Sequence, residues 1–210
     1  VKVNHKTVYR LMSDMGLVSN LRRKKHSSYK GEMGKIAPNI LARNFRAKTP
    51  MQKLVTDVTE FHILGTKIYL SPVMDLFNRE ILSYSISLSP NMKMIDEMLE
   101  SLFCTREIKK GVIMHSDQGA LYQSSSYQKN LADKGIVQSM SRKATCLDNA
   151  VIENFFGLLK SEMFYGKEFE SIEHFTEELK EYIRYYNEDR IKIKLDGLSP
   201  VQYRLTKFAS

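Results

Sequence analysis

Between residues 53 and 87 three β-rich runs follow one another almost without pause, and no other stretch of the 210 residues limits the possible folds so tightly. The runs are KLVTDVTEF, TKIYLSPVMD and EILSYSIS, parted by turn signals at residues 62–65 and 78–79. Connections this short leave room for hairpins but not for crossover helices, so the spacing predicts an antiparallel meander.

Beyond residue 90 the apolar period changes from two to that of a helix. Met94, Ile95, Met98, Leu99, Leu102 and Phe103 recur on one face of a helix over about 91–107. VIMHS is a short apolar strand, residues 124–133 read as a helix, and IVQSM as another strand. Strand, helix, strand in that order predicts parallel pairing onto the meander. In the last third Ile152, Phe155, Phe156 and Leu159 repeat at i, i+3, i+4 and i+7. A second helix over 171–188 stacks Ile172, Phe175, Leu179, Tyr182, Ile183 and Tyr186. No internal repeat or low-complexity tract interrupts this order. The order describes an RNase H-like α/β fold: a mixed five-stranded sheet flanked by helices, with further helices at the C-terminus.

Upstream of the sheet the chain is different. The net charge is +8, but residues 1–50 carry 12 Lys and Arg against 2 acids, so the rest of the chain is slightly acidic. Such asymmetry points to a polyanion-binding arm on a near-neutral domain, the alternative being a solubilising basic segment. Residues 4–16 read as a short helix, capped by Asn4 and ended by Gly16, with Val8, Leu11, Met12 and Met15 on one face. One short helix cannot bury that face alone, so partner helices are expected upstream. The chain starts at Val1 rather than Met and is read as cut from something longer. RRKKHSSYKGEMGK then reads as a basic linker.

Composition excludes several classes. Hydrophobic residues at 42% and charged residues at 27% are those of a globular protein. No apolar run approaches the roughly 18 residues a bilayer needs, and the basic N-terminus carries no signal-peptide pattern. Cys104 and Cys146 form neither a metal-ligand spacing nor a disulfide framework, so a reducing cytoplasm is expected. GEMGK at 31–35 lacks phosphate-loop spacing, so no nucleotide cofactor is expected.

Three acids carry the chemistry. Asp57 interrupts an apolar strand, where a carboxylate is costly unless paired or bound to metal. Asp117 follows VIMHS, at the carboxyl end of a strand, where α/β sheets place ligand sites. Glu153 stands near the start of the helix bearing Ile152 and Phe155. Convergence of the three would suit Mg²⁺, which takes a few carboxylates and completes its shell with water and phosphate oxygens. Two such ions roughly 3.5 to 4 Å apart serve phosphoryl transfer on DNA.

The words around these acids settle the expectation. VTDVTEF at 55–61, HSDQGALY at 115–122, SMSRKATCLDNAVIENFFGLLKSE at 139–162 and YYNEDRIKIKLDGLSPVQYR at 185–204 resemble the OrfB-type transposases of bacterial insertion sequences, of the DDE transposase and retroviral integrase superfamily. Asp117 and Glu153 have 35 residues between them, the separation typical of that superfamily. The resemblance implies that Asp57, Asp117 and Glu153 are the catalytic, metal-binding triad, holding two Mg²⁺ ions for which Mn²⁺ can substitute. It implies nicking of element ends by water, then attack of the freed 3′ hydroxyl on another phosphodiester. It implies double-stranded DNA as partner, a homo-oligomer when DNA is bound, no membrane, and a cytoplasmic place at the nucleoid. The chain then divides into a partial helix-turn-helix-like DNA-binding segment (1–20), a basic linker (21–50), the integrase catalytic core (51–165) and a C-terminal helical extension (166–210). The rivals are a non-catalytic DNA-binding regulator of transposition and an RNase H-type nuclease.

The sequence departs from the family in places. Leu54 stands where the family has Trp, and Ala144, Thr145 and Leu147 stand where it has Gly, Asn and an aromatic. None of these is a metal ligand.

Other polar residues have competing readings. Asp75 lies in a β-rich run, where a turn cap at residues 78–79 competes with a ligand role. His115 either positions substrate or water or packs the strand end. Asp148 and Asn149 are read as caps of the Glu153 helix, and by resemblance as part of the active-site motif. Lys160 lies two helical turns beyond Glu153 on the same face, a DNA-backbone contact or a solvated lysine. Arg142 and Lys143 carry the same pair of readings. Arg22, Arg23, Lys24 and Lys25 are read as phosphate contacts without sequence choice. Tyr186, Asn187, Arg190 and Tyr203 are read first as packing of the last helices onto the core.

Overall fold

The computed structural model describes residues 4–17, 35–143 and 146–208. The sheet organises everything else. Its strands are β1 (Lys53–Thr56), β2 (Thr59–Ile63), β3 (Thr66–Asp75), β4 (Ile81–Ser87), β5 (Ile113–Ser116) and β6 (Val137–Met140). The first three runs form the antiparallel meander, β2 and β4 both pairing with β3. Beyond it β5 pairs parallel with β1, and β6 parallel with β5.

The run 53–61, expected as one strand, is two. Pairing with β3 keeps one register across the break: Thr56 faces Val73 and Thr59 faces Leu70. Continued through the gap, that register sets Asp57 opposite Pro72. Proline has no N–H to give to a ladder, and the pairing lapses where Asp57 stands. Six named strands thus occupy the five positions expected of the sheet.

Side chains alternate across the sheet and feed two apolar layers. On one face Val55, Phe61 and Ile63 pack against Ile152, Phe155 and Leu159 of α5 (Ala150–Leu159) and Phe175, Leu179 and Ile183 of α6 (Ile172–Glu188). On the other face Leu54, Val73 and Met114 meet Met94, Ile95, Met98, Leu99 and Leu102 of α2 (Met92–Thr105), with Tyr127 and Leu131 of α4 (Ser125–Asp133). A short helix, α3 (Ala120–Gln123), precedes α4. Each buried aliphatic or aromatic side chain contributes roughly 1.5 to 3 kcal/mol. Helix starts are set locally: Asn91 accepts from Met94 N–H (3.1 Å) and Ser171 from His174 N–H (3.0 Å).

α5 ends in a wider π turn, Lys160–Phe164, closed by Tyr165 N–H on the Lys160 carbonyl (2.7 Å). The C-terminal elements are tied down by the residues read as packing. Asn187 brackets Ile81, accepting from its N–H (2.8 Å) and donating to its carbonyl (2.9 Å). Arg190 pairs with Glu162, and Tyr203 of α7 (Pro200–Phe208) meets the Phe77 ring at 5.6 Å.

α1 (His5–Asp14) forms with its expected cap, Asn4 Oδ1 accepting from Lys6 N–H (2.9 Å), and Gly16 takes φ 72°. None of its residues is buried, and Val8, Leu11, Met12 and Met15 are exposed. The described part of the expected linker is not loose, since Leu41 is 1% exposed within the α5 layer. Among the described residues no helix is long and apolar enough to cross a membrane.

Candidate active site

The three acids singled out by their setting come from three neighbouring parts of the fold, two of them beside interior strands of the sheet. Asp57 fills the gap between β1 and β2, and its Oδ1 accepts from Val58 N–H (2.7 Å). Asp117 follows β5, the neighbour of β1, and Glu153 lies in the first turn of α5. Asp57 feels the charges of both other acids. Burial first, then the Asp117 charge and then that of Glu153, holds its carboxyl well above the usual carboxylate range. The Val58 N–H and the nearby Asn149 amide oppose that rise. Asp117 is raised as well, by burial, against the Gly119 N–H.

Asn149 sits where α5 begins, but its buried amide nitrogen and oxygen complete no hydrogen bond of good geometry. A buried amide short of well-aligned partners beside desolvated carboxylates is a donor set that fits a hydrated cation. Among the described residues no three His, Cys, Asp or Glu side chains are grouped closely enough to hold a metal ion as they stand. The oxygen-only donor set suits a hard cation such as Mg²⁺ and not a soft one.

Two residues not singled out by the sequence shape this site. Gly119 has φ −61°, so its backbone needs no glycine, but a Cβ there would stand 2.9 Å from Asp117 Oδ1. Its N–H donates to that same oxygen (2.8 Å), so only a residue without a side chain leaves Asp117 in place. Tyr122 lies beneath, its hydroxyl 3.5 Å from Thr56 Oγ1 and raised well above its usual range by burial and by the Asp57 charge.

The supporting residues stand differently from their expected roles. Asp148 and Asn149 do not cap α5: Asn149 makes no side-chain cap bond, and Asp148 turns to cations instead. Charge-assisted bonds outcompete a cap N–H. The carboxylate of Asp148 is 0% exposed. It accepts from Arg142 Nε and Nη2 (3.0 and 3.1 Å), Arg142 N–H (3.0 Å), Arg43 Nε (2.6 Å) and Asn39 Nδ2 (3.0 Å). The Arg142 guanidinium above all holds it well below the usual carboxylate range.

His115 is buried with both ring nitrogens engaged, Nδ1 with Ser139 Oγ (2.9 Å) and Nε2 with the Asp148 carbonyl (3.0 Å). Burial lowers its pKa to about 4, so the ring is neutral. A carbonyl only accepts, so Nε2 carries the proton and Nδ1 accepts from Ser139. This is the packing reading of His115. Asp75 is likewise consumed, its Oδ1 accepting from Phe77 N–H (2.9 Å) and its Oδ2 from Met51 N–H (2.8 Å).

Of the cations read as DNA contacts, Arg142 is engaged by Asp148 though 60% exposed, Lys143 is exposed, and Lys160 Nζ lies 5.2 Å from the Phe61 ring centroid. Arg22, Arg23, Lys24 and Lys25 lie outside the described residues.

Fold and site together define an RNase H-like core with acidic side chains beside the interior strands β1 and β5. Sequence profiles described as "Integrase core domain" match residues 47–146 and 153–208. The chain is 51% identical over 203 residues to the transposase InsK assigned to insertion sequence element IS150 in Escherichia coli K12, covering 97% of this chain and 72% of that one. It is 49% identical over 204 residues to a transposase-like protein of Haemophilus influenzae, covering 97% and 94%. In fold it matches the HTLV-2 integrase catalytic core solved with magnesium, at TM-score 0.59 and 15% identity, over 76% of this chain and 99% of that one. The chain belongs to the insertion-sequence transposases of the integrase-core superfamily, polynucleotidyl transferases that cleave and transfer DNA strands.

Proposed function

We propose that Asp57, Asp117 and Glu153 are the catalytic triad and jointly hold two Mg²⁺ ions, with Mn²⁺ able to replace them. The observation that carries this reading is Asp57: a carboxyl set in a lapse of the ladder and pushed up by burial and by the other two acids. Like charges gathered in a desolvated place are stable only with a proton or a cation between them. Bound there, the cations supply activation of the attacking oxygen and stabilisation of the leaving one.

The chain's own residues do the rest. The Val58 and Gly119 N–H groups orient Asp57 and Asp117, the bare Gly119 keeps Asp117 from being displaced, and Tyr122 closes the floor against water. Lys160, the first residue of the π turn that follows α5, supplies a positive charge for the DNA backbone, with Arg142 and Lys143 in the loop before α5. The substrate is double-stranded DNA at element ends and target, bound by more than one copy of the chain, in the bacterial cytoplasm. Residues 1–20 and 21–50 serve DNA binding and connection, 51–165 the chemistry, and 166–210 its support.

Asp117→Asn should abolish joining of pre-cut ends in Mg²⁺ and leave gel-shift affinity for the same DNA unchanged. A variant that still joins strands would sink the assignment.

A further inference from the structure

Residues 37–45 precede the sheet, yet they are fastened to it at several points. Leu41 is buried in the α5 layer. The N–H groups of Ile40 and Leu41 donate to Ser139 Oγ (2.9 and 3.1 Å), the hydroxyl that also donates to His115. Ala42 and Arg43 both take left-handed backbone, with φ 45° and 62°. Residues with side chains adopt that region at a cost, and only where the surroundings over-determine it. Here Asn39 closes the turn, its Oδ1 accepting from Ala42 N–H (2.8 Å). The turn delivers Arg43 Nε and Asn39 Nδ2 to the two oxygens of Asp148.

Asp148 is where these contacts meet the active site. Its carbonyl accepts from His115, two residues before Asp117. The next residue, Asn149, begins α5, and its carbonyl accepts from Glu153 N–H (3.3 Å). Arg142 alone would hold the carboxylate from one side; Arg43 and Asn39 hold it from a segment that lies before the first matched integrase-core residue.

We propose that Arg43 is a positioning residue for strand cleavage and transfer, fixing through Asp148 the start of α5 and hence where Glu153 stands relative to Asp57 and Asp117. The inference rests on the reading of those three acids as the metal-holding triad. A strap that only stabilised the fold would make the same contacts, so the test must separate placement from stability.

The experiment uses the whole chain with Mn²⁺ as probe, its binding followed by electron paramagnetic resonance alongside joining of pre-cut ends. Arg43→Ala is compared with Arg43→Lys, and with Leu41→Val as a control that loosens the strap without touching Asp148. Arg43→Ala should weaken triad-dependent Mn²⁺ binding and turnover at saturating DNA by about tenfold, the scale on which outer partners of metal ligands act. KM for DNA should stay within about twofold of the parent, and Arg43→Lys should recover most of the Mn²⁺ affinity. Leu41→Val should lower the melting temperature yet leave Mn²⁺ affinity unchanged. Equal loss of Mn²⁺ affinity in Arg43→Ala and Leu41→Val would overturn the inference, as would no loss in either. Should Arg43→Ala fail to fold, Asn39→Ala takes its place, with the same expectation and the same overturning result. The parent and Asp117→Asn are measured in parallel: if neither differs in Mn²⁺ binding, the triad reading falls and takes this inference with it. If they differ and Arg43→Ala matches the parent, only the strap inference fails.

Discussion

Asp57 and Asp148 are both desolvated aspartates close to the start of α5, and their surroundings push them in opposite directions. Asp148 has two guanidinium groups, an amide and a backbone N–H around it, and its acidity is increased. Asp57 has two more acids near it and one short backbone bond, and its acidity is reduced. A satisfied carboxylate is a structural fastening; an unsatisfied one in a cluster is held in readiness for something the protein does not itself contain. The structure thus places two guanidinium groups on Asp148 and leaves the proposed catalytic acids negative. Three measurements test that contrast.

The largest effect is expected at the satisfied centre. Removing one partner of a buried ion pair is strongly destabilising, by about 3 to 5 kcal/mol. In Asp148→Ala the loss should lie near the lower end, about 3 kcal/mol, because Arg43 and Arg142 are 42% and 60% exposed and can rehydrate. Urea unfolding of parent and variant at pH 7 measures it. The sign with pH follows from the depressed acid: its contribution is present above the unfolded value of 3.8 and is lost as pH falls below it. A loss under about 1 kcal/mol would mean that the network is ornamental and that the contrast with Asp57 has no structural side.

An intermediate effect belongs to His115, which joins the two centres. Its folded pKa of about 4 lies below the ordinary value of 6.5, so the unfolded chain takes up a proton first as pH falls. Stability from this group is full above pH 6.5 and declines toward pH 4, by about 2 kcal/mol at pH 5. Unfolding at pH 7 and pH 5 should show that loss in the parent and much less of it in His115→Gln. Saturating Mg²⁺ should leave the difference unchanged, since the ring faces Ser139 and Asp148 rather than the acidic cluster. A parent as stable at pH 5 as at pH 7 would contradict the buried, neutral ring.

Much of this is legible in the sequence alone, and the parts that are not have a common cause. The meander, α2 and α6 declare themselves because apolar period is a local property. Asp57 declares itself because a charge in an apolar run is locally anomalous. The break between β1 and β2 does not, because its cause, Pro72, sits on the partner strand. Asp148 and Asn149 look like caps because a cap is the local option for those residues; at Asp148 that option is overridden by two guanidinium groups, the stronger from Arg142, six positions back, and the other from Arg43, 105 positions away in sequence. The strap is hidden for the same reason, its anchor Ser139 being 99 positions from Ile40. Its one local signal is the apolar pair Ile40–Leu41 after Pro38 and Asn39 in an otherwise basic stretch.

The smallest effect is expected at the unsatisfied centre, and it has the opposite sign. An acid whose folded pKa is raised weakens the fold as pH climbs through that pKa, because the native state must give up its proton against the field of its neighbours. At neutral pH and without metal, Asp57→Asn removes that opposition while keeping the side chain's shape. The variant should therefore melt a few degrees above the parent, about 2 to 4 °C for each kcal/mol relieved in a chain of this size. Mg²⁺ should then raise the parent's melting temperature by mass action and leave that of the variant almost still. The two curves would cross: the variant more stable in chelator, the parent more stable in millimolar Mg²⁺. A variant that melts below the parent in chelator would show that Asp57 is held by partners of its own, as Asp148 is. The distinction between the two centres would then be one of position alone.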